Sequence, residues 1–207
     1  EQPVVSLLRN FSAPVNLVFD YTDAELAFLI QHETNGFNQW QATQTLLERI
    51  LLEDHSADAY IQAIQSTLSE LVGRDPLLAS RLFDVPSEGY LGSRIDQNYA
   101  PADIHVKREA LLNRLAQELG SFWKDTYLTL DPDLQKEFSL AMGVRALKNI
   151  MLMMMARQGD QSAFELAHVQ YQNTGNMSER LGALRVLVWQ NAPQAQEVLA
   201  DFYDRFK

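Results

Sequence analysis

Residues that could carry hydrolytic chemistry are rare in this sequence, and the most suggestive pair is His32-Glu33. A zinc hydrolase of the HExxH type places two histidines one helical turn apart, and the glutamate between them acts as general base. Here the string reads HETNG, so Gly36 stands where the second histidine would have to be. We therefore interpret His32 and Glu33 as structural residues at the end of a helix.

The remaining histidines do not supply a second candidate. His55, His105 and His168 are isolated, and no two histidines are spaced i, i+3 or i, i+4. The polar strings Glu53-Asp54-His55 and Asp131-Pro132-Asp133 fall at a predicted helix end and a predicted helix start, where charged residues commonly face water or favour the helix dipole. These positions are interpreted as helix ends and not as ligand sets.

Several whole classes of site are missing. The chain has no cysteine, which excludes disulfides, thiolate zinc sites and cysteine nucleophiles. It also lacks a nucleophile elbow, a phosphate loop and a dinucleotide fingerprint. The sequence therefore assigns no catalytic residue and no metal ligand, and it leaves any substrate-binding residue unknown.

The amino-acid composition limits the classes of partner that the chain can bind. The 207 residues are 46% hydrophobic and 21% charged, which is typical of an ordered globular protein. Seventeen Lys and Arg against 27 Asp and Glu give a net charge of −10, the wrong sign for phosphate backbones or anionic lipid. The longest apolar run covers residues 150–156, whereas a membrane-spanning helix needs about 20. We expect no nucleic-acid partner and no membrane association.

A methionine cluster permits two interpretations. Met151, Met153, Met154 and Met155 could line an adaptable groove for peptides or small molecules, because methionine surfaces repack around varied ligands. A helix that is apolar on all sides is, however, usually buried on all sides. We favour a central core helix, and a small-molecule-binding helical domain stays as an alternative.

The first 20 residues have a pattern of their own. Apolar side chains form two short runs hinged at residues 12–14, and the second run alternates with period 2. This predicts one strand or two. Because an isolated hairpin is marginal in water, we expect the partner strands to lie upstream of Glu1.

From Thr22 onward the period is helical. Thr22 and Glu25 have the spacing of a capping box and predict a helix that runs to about His32. Further helices are predicted to begin near Asp75-Pro76, Pro101, Asp131-Pro132, Gln161, Asn176 and Pro193. Nine or ten helices joined by short links predict an all-α fold. We expect an irregular HEAT-like α-superhelix of antiparallel helix pairs, with a short N-terminal β segment.

Three segments resemble a known family. SLLRNFSAPVNL, residues 6–17, is similar to the segment of bacterial aminopeptidase N enzymes where a β-sandwich domain gives way to a helical C-terminal domain. QNTGNMSERLGAL, residues 172–184, and RALKN, residues 145–149, resemble elements of that helical domain. The family usually carries Asp where this chain has Glu179. Together with the helical array between them, these segments extend the resemblance over essentially the whole chain.

The resemblance implies a domain organisation and a role. Residues 1–20 would be the last strand or strands of the upstream β-sandwich, and residues 22–207 the first part of the HEAT-like domain. The parent would be a zinc metalloaminopeptidase that removes N-terminal residues from peptides. Neither HExxH with its downstream Glu nor the exopeptidase motif is present here. This segment is therefore expected to be non-catalytic and free of cofactors, and to form a structural cap over the active-site chamber.

The same resemblance implies a cellular location and a set of partners. We expect a cytoplasmic location, with the upstream domains of the same polypeptide and peptide substrates as partners. An apolar face around Val198, Leu199, Phe202 and Phe206 should lack its next neighbour and invite self-association. The rival interpretation is a stand-alone HEAT-like protein-interaction scaffold.

Overall fold

The computed structural model describes residues 3–15, 17–95 and 100–207. Within these ranges the regular structure is entirely helical, and the predicted all-α class is confirmed. A 3-10 turn at Arg9–Phe11 precedes the α-helices. These are α1 (Asp23–His32), α2 (Gly36–Leu52), α3 (Asp58–Arg74), α4 (Pro76–Arg81), α5 (Glu88–Ser93), α6 (Pro101–Glu118), α7 (Phe122–Thr129), α8 (Phe138–Arg157), α9 (Ser162–Asn173), α10 (Met177–Trp189) and α11 (Ala195–Phe206).

The chain divides into two compact units, and the first is Glu1–Leu111. There α1 packs against α2 and α3, and α3 packs against α4. The fully buried side chains of this unit include Leu26, Ile30, Leu46, Leu47, Leu51, Tyr60, Ile61, Ile64, Leu68 and Leu71. The Tyr60 hydroxyl donates a 2.8 Å hydrogen bond to the Leu82 carbonyl, so this buried hydroxyl is satisfied.

The second unit is Leu112–Lys207, and α8 is its central helix. α8 packs against α7, α9 and α10, and α10 also contacts α9 and α11. Met151, Met154 and Met155 are buried, as the core interpretation predicts, whereas Met153 is partly exposed. Trp123 is fully buried, and its indole Nε1 donates a hydrogen bond to the Ala116 carbonyl.

α8 also meets the length and composition test for a membrane-spanning helix. It has 20 residues, and its most apolar 18-residue window has a mean hydropathy of 1.3. The same test is passed by core helices, and 44% of this window is buried inside the protein. Packing on three neighbouring helices accounts for the apolar composition of α8.

The capping box predicted at the start of α1 is confirmed. Thr22 Oγ1 accepts a hydrogen bond from the Glu25 backbone N–H at 3.2 Å, and Glu25 Oε2 accepts one from the Thr22 backbone N–H at 2.7 Å. These reciprocal bonds satisfy two backbone donors that no helical carbonyl can reach. The hydrogen bonds that the Thr22 backbone N–H and hydroxyl donate to the Glu25 carboxylate hold the pKa of Glu25 below its usual range.

Removal of this cap gives the first testable prediction. Thr22→Ala should lower the free energy of unfolding by about 1 kcal/mol, because the Glu25 N–H loses its acceptor. Thr22→Ser keeps the hydroxyl and is expected to retain most of the stability. Urea unfolding followed by circular dichroism compares the variants, and equal midpoints for wild type and Thr22→Ala would contradict the prediction.

The predicted N-terminal β segment is not formed in residues 3–15 and 17–20. Leu8, Asn10 and Phe11 have φ angles of 54°, 57° and 54°, which lie in the left-handed region and interrupt extended backbone. The described residues also provide no neighbouring strand with which this segment could form a ladder. The assignment of residues 1–20 to an upstream β-sandwich stays a prediction.

The start of α8 also differs from the prediction. A helix was expected to open at Asp131-Pro132, but α8 begins at Phe138. Asp131 Oδ1 instead accepts a hydrogen bond from the Asp133 backbone N–H at 2.9 Å. This Asx-type bond favours a turn over a helical start, because the side chain replaces a backbone acceptor.

Candidate functional site

The first candidate, His32-Glu33, is a structural anchor. The His32 ring packs against Phe28, with 4.5 Å between ring centroids. Glu33 is buried, with only 3% of its side chain exposed. Its carboxylate accepts hydrogen bonds from Ser6 Oγ and from the backbone N–H groups of Thr34 and Asn35, the latter two at 2.7 Å. All of these donors belong to the protein itself, so Glu33 is not placed to act as a base toward substrate.

Glu33 joins the N-terminal segment to the loop between α1 and α2. Arg9 lies 3.2 Å from the carboxylate, and Asn38 Nδ2 donates to the Leu7 carbonyl at 2.7 Å. Burial by itself raises the pKa of Glu33, but the hydrogen bonds from Ser6, Asn35 and Thr34 and the nearby Arg9 guanidinium outweigh burial and hold this pKa below its usual range. The carboxylate is therefore ionised at neutral pH.

The other histidines lie in separate places. His55 Nδ1 is 2.7 Å from Asp23, which also accepts a hydrogen bond from Arg49 at 2.9 Å. His105 contacts Glu88 at 2.8 Å, and the ring of His168 contacts Gln172. In the part of the chain that the structure describes, no group of three or more His, Cys, Asp or Glu residues could hold a metal ion.

An apolar groove between α8 and α10 is the most distinctive surface of the second unit. We call it the α8–α10 groove; its volume is about 580 Å³. Its lining residues are Phe138, Met142, Arg145, Ala146, Asn149, Ile150, Met153, Asn176, Ser178, Leu181, Gly182, Arg185 and Trp189. Phe138 and Trp189 are 80% and 69% exposed. A groove bordered by exposed aromatic side chains can bind an apolar ligand or a polypeptide segment.

The charge of the groove contrasts with that of the chain. Its lining contains two arginines and no acidic residue, whereas the whole sequence has a net charge of −10. Arg145 is only 16% exposed, and its Nε is buried without a hydrogen-bond acceptor among the described residues. Glu179 Oε2 lies 3.6 Å from that nitrogen, close enough for charge compensation but too far for a hydrogen bond.

The floor of the groove is a close crossing of the two helices. Asn149 Nδ2 on α8 donates to the Ser178 carbonyl at 3.0 Å, and Asn149 Oδ1 accepts from Gln170 Nε2 at 2.9 Å. A Cβ at position 182 of α10 would overlap the Asn149 side chain, so only glycine permits this approach. The motifs RALKN and NMSERLGAL, separated by 26 residues in sequence, thus meet at one crossing.

A polar cleft lies on the other side of Arg145, with a volume of about 760 Å³. Here the Tyr127 hydroxyl donates to Gln170 Oε1 at 3.0 Å, and burial, with Glu179 nearby, raises the pKa of Tyr127 to about 12. Lys148 Nζ donates to the Leu130 carbonyl at 2.9 Å and lies over the Tyr127 ring. Burial lowers the pKa of Lys148. The polar groups named here have partners within the unit and form an internal network.

Glu179 lies in the first turn of α10 but contacts the loop before α10 and α8. Asn176 caps α10 by accepting a hydrogen bond from the Ser178 N–H at 2.9 Å. Glu179 does not complete a capping box; its Oε2 accepts from the Thr174 hydroxyl at 3.0 Å and faces Arg145. Glu179 therefore connects the loop before α10 to α8.

The apolar face of α11 is smaller than expected. Val198 is buried, and its carbonyl accepts a hydrogen bond from the Tyr171 hydroxyl at 3.1 Å. The exposed surface instead runs through Leu199, Phe202, Tyr203 and Phe206. Self-association through this surface stays a prediction.

The α8–α10 groove was predicted only in part. One of the two interpretations of the methionine cluster was an adaptable groove, and Met153 does line the α8–α10 groove, whereas the other three methionines of the cluster are buried. Arg185 and Trp189 received no interpretation from the sequence. Two sequence features could have indicated the groove. Arg145 and Arg185 have no acidic residue close to them in sequence, and the aromatic residues Phe138 and Trp189 lie at the ends of two helices.

Comparisons with known proteins place the chain in a family. The family described as "Domain of unknown function (DUF3458_C) ARM repeats" matches residues 23–207. ARM repeats, like the predicted HEAT-like repeats, are stacked helical units.

Curated relatives extend the match to the whole chain. Aminopeptidase N of Escherichia coli (strain K12) is 30% identical over 222 residues, which cover 99% of this chain and 24% of that protein. Aminopeptidase N of Caulobacter vibrioides is 30% identical over 223 residues, covering 100% of this chain and 25% of that protein. The chain thus spans about a quarter of the length of these relatives. The resemblance to bacterial aminopeptidase N is confirmed.

A solved structure supports the fold. The crystal structure of Legionella pneumophila aminopeptidase A in complex with aspartic acid matches with a TM-score of 0.82 and 24% identity, over 99% of this chain and 26% of that one. Because the family match includes α1 to α11 and both helices of the groove, the chain belongs to the DUF3458_C family of ARM-repeat domains.

Proposed function

We propose that this chain is the non-catalytic, C-terminal helical segment of a zinc-dependent aminopeptidase N, in which it forms a structural cap over the active-site chamber. The observation that carries the proposal is the match of essentially the whole chain to aminopeptidase N relatives that are about four times as long. The parent would be a cytoplasmic hydrolase that removes N-terminal residues from peptides.

The described residues, 3–15, 17–95 and 100–207, do not fit a zinc site. His32 packs on Phe28, and Glu33 is held by internal donors. The described residues contain no cluster of three potential ligands. The zinc, together with the base that serves it, would therefore belong to the upstream part of the parent polypeptide, and no catalytic step is assigned to this chain.

The contribution of this segment would be architectural. Enclosure of an active site excludes bulk water and limits which substrates enter. The helix pairs described above are rigid elements suited to that task, because each unit buries a continuous apolar core. The anchor at Glu33 would hold the junction between residues 1–20 and the helical domain.

A matched activity assay tests the proposal. The 207-residue chain and its full-length parent are compared on aminoacyl chromogenic substrates, with zinc present and then with a chelator added. We expect turnover by the parent that the chelator abolishes, and no turnover by the chain above that of a mock purification. Zinc-dependent turnover by the chain, beyond the mock purification, would overturn the proposal.

A further inference from the structure

We propose that the α8–α10 groove is a docking surface for an acidic, apolar segment of the same polypeptide that lies outside these 207 residues. The inference rests on the proposed function, because it takes the chain to be part of a longer protein. It names the surface by which the helical segment would be held to the rest of that protein.

The side chains of the groove are of the types that dominate binding surfaces. Aromatic residues, methionine and arginine are enriched in the centres of protein interfaces, whereas lysine and acidic residues are depleted there. Phe138, Met142 and Trp189 are exposed around the groove, and Met177 is exposed beside it. Exposure of grouped apolar side chains to water is unfavourable, and covering them with a partner lowers the free energy.

The charges of the groove define the chemistry of the occupant. Arg145 and Arg185 lie in the lining without an acidic neighbour in it, although acids outnumber basic residues in the chain by 27 to 17. Arg185 forms no ion pair or hydrogen bond with any residue that the structure describes. The buried Nε of Arg145 also lacks an acceptor among those residues. Arg145 already faces Glu179 at 3.6 Å, so the exposed Arg185 is the arginine that a carboxylate of the occupant would pair with, while apolar side chains of the occupant cover the aromatic residues.

The shape of the groove allows a polypeptide segment to approach closely. Ala146, Ser178 and Gly182 are small and lie on the two helices that form the floor. Larger side chains, Phe138 on α8 and Trp189 on α10, stand at the ends of their helices. An amphipathic segment can therefore place apolar side chains over the floor and its acids toward the arginines.

The exposed apolar surface of α11 in a second copy of the chain is a poorer occupant. The exposed apolar surface of α11 is lined by Gln196, Leu199, Ala200, Phe202, Tyr203, Phe206 and Lys207, and none of these is acidic. Such a surface does not complement two arginines. The parent polypeptide, of which this chain represents about a quarter by comparison with its relatives, has ample further sequence to supply the acidic segment.

Hydroxyl-radical footprinting with mass spectrometry tests the proposal. The reactivities of Met142, Met177 and Trp189 are measured in the isolated chain and in the full-length parent. We expect these residues to be at least ~3-fold less reactive in the parent, because a docked segment excludes water from the groove. Equal reactivity in the two proteins would overturn the docking proposal.

Charge reversal in the full-length parent tests the chemistry of the occupant. Arg185 is exposed and makes no hydrogen bond or ion pair with the described residues, so we expect Arg185→Glu to fold and to restore the reactivity of Met142 and Trp189. Arg74→Glu is the matched control, since Arg74 is exposed on α3 and pairs only with Glu70; it should leave the groove protected. Protection that survives Arg185→Glu unchanged would show that acids do not hold the occupant and would overturn the proposal.

Cross-linking identifies the source of the occupant. An Arg185→Lys parent treated with a zero-length carbodiimide should form a new bond from Lys Nζ to an Asp or Glu outside residues 1–207. A cross-link to another copy of residues 1–207, or protection that disappears on dilution, would overturn the assignment to the same polypeptide.

The activity assay tests the proposed function, and the footprinting measurement tests docking, so either proposal can fail without the other. An active parent with an unprotected groove would refute docking and leave the proposed function standing. A protected groove in a parent without peptidase activity would support docking and refute the proposed function.

Discussion

Replacement of Glu33 by alanine is expected to lower the free energy of unfolding by about 2–4 kcal/mol, because it leaves several donors without their acceptor. The buried carboxylate accepts from Ser6 Oγ and from the N–H groups of Thr34 and Asn35, and Arg9 lies 3.2 Å away. Hydrogen bonds to a charged group contribute more than neutral ones. The loss should also release residues 5–10 from the loop between α1 and α2.

Urea unfolding and amide hydrogen exchange check this prediction. Glu70→Ala is the matched control, because Glu70 is an exposed glutamate whose ion pair with Arg74 lies on the surface of α3. A surface pair of this kind contributes about 0–1 kcal/mol. The amides of Thr34 and Asn35, which donate to the carboxylate at 2.7 Å, should exchange faster in Glu33→Ala and be unchanged in Glu70→Ala. Similar small effects of both substitutions would contradict the anchor role.

The same carboxylate predicts a dependence of stability on pH. The pKa of Glu33 is lower in the folded chain than in the unfolded chain, where it is about 4.3. As pH falls, the unfolded state therefore binds the proton first. The ionised Glu33 carboxylate stabilises the fold fully above the unfolded pKa, and this stabilisation is lost as pH falls through the folded pKa. The stability difference between wild type and Glu33→Gln should be constant near pH 7 and shrink below about pH 4. A difference that grows on acidification would refute this.

Features of the fold that depend on neighbouring residues were predictable. The capping box at Thr22 and the helix starts at Pro76 and Pro101 arise from bonds or torsions within one turn of chain, and the structure has them as predicted. The core position of Met151 followed from an apolar pattern alone. Helix caps and helix starts can be predicted from sequence because the residues that determine them are adjacent in the chain.

Features that depend on distant residues were not predictable. The failed HExxH string correctly indicated a structural Glu33, but its partner Ser6 lies 27 residues away and no spacing rule connects them. The alternating pattern in residues 13–19 predicted a strand, yet a strand also needs a neighbour to pair with. The groove is formed by α8 and α10, so the position of Arg145 and Arg185 along one groove became visible only once both helices were placed.

Gly182→Ala should destabilise the chain by about 2–4 kcal/mol, although alanine favours a helix over glycine by about 1 kcal/mol. The new Cβ would overlap Asn149, whose side chain must move and give up its bonds to Ser178 and Gln170. Each lost bond costs about 1 kcal/mol, and the displacement adds about 1–3 kcal/mol of strain, so the steric overlap outweighs the helix propensity of alanine.

Gly73 in α3 is the matched control, because a Cβ there meets nothing within 4 Å. Gly73→Ala should therefore stabilise the chain by up to about 1 kcal/mol. Calorimetric unfolding of both variants should give shifts of opposite sign, and a stabilising Gly182→Ala would show that α8 and α10 do not cross this closely.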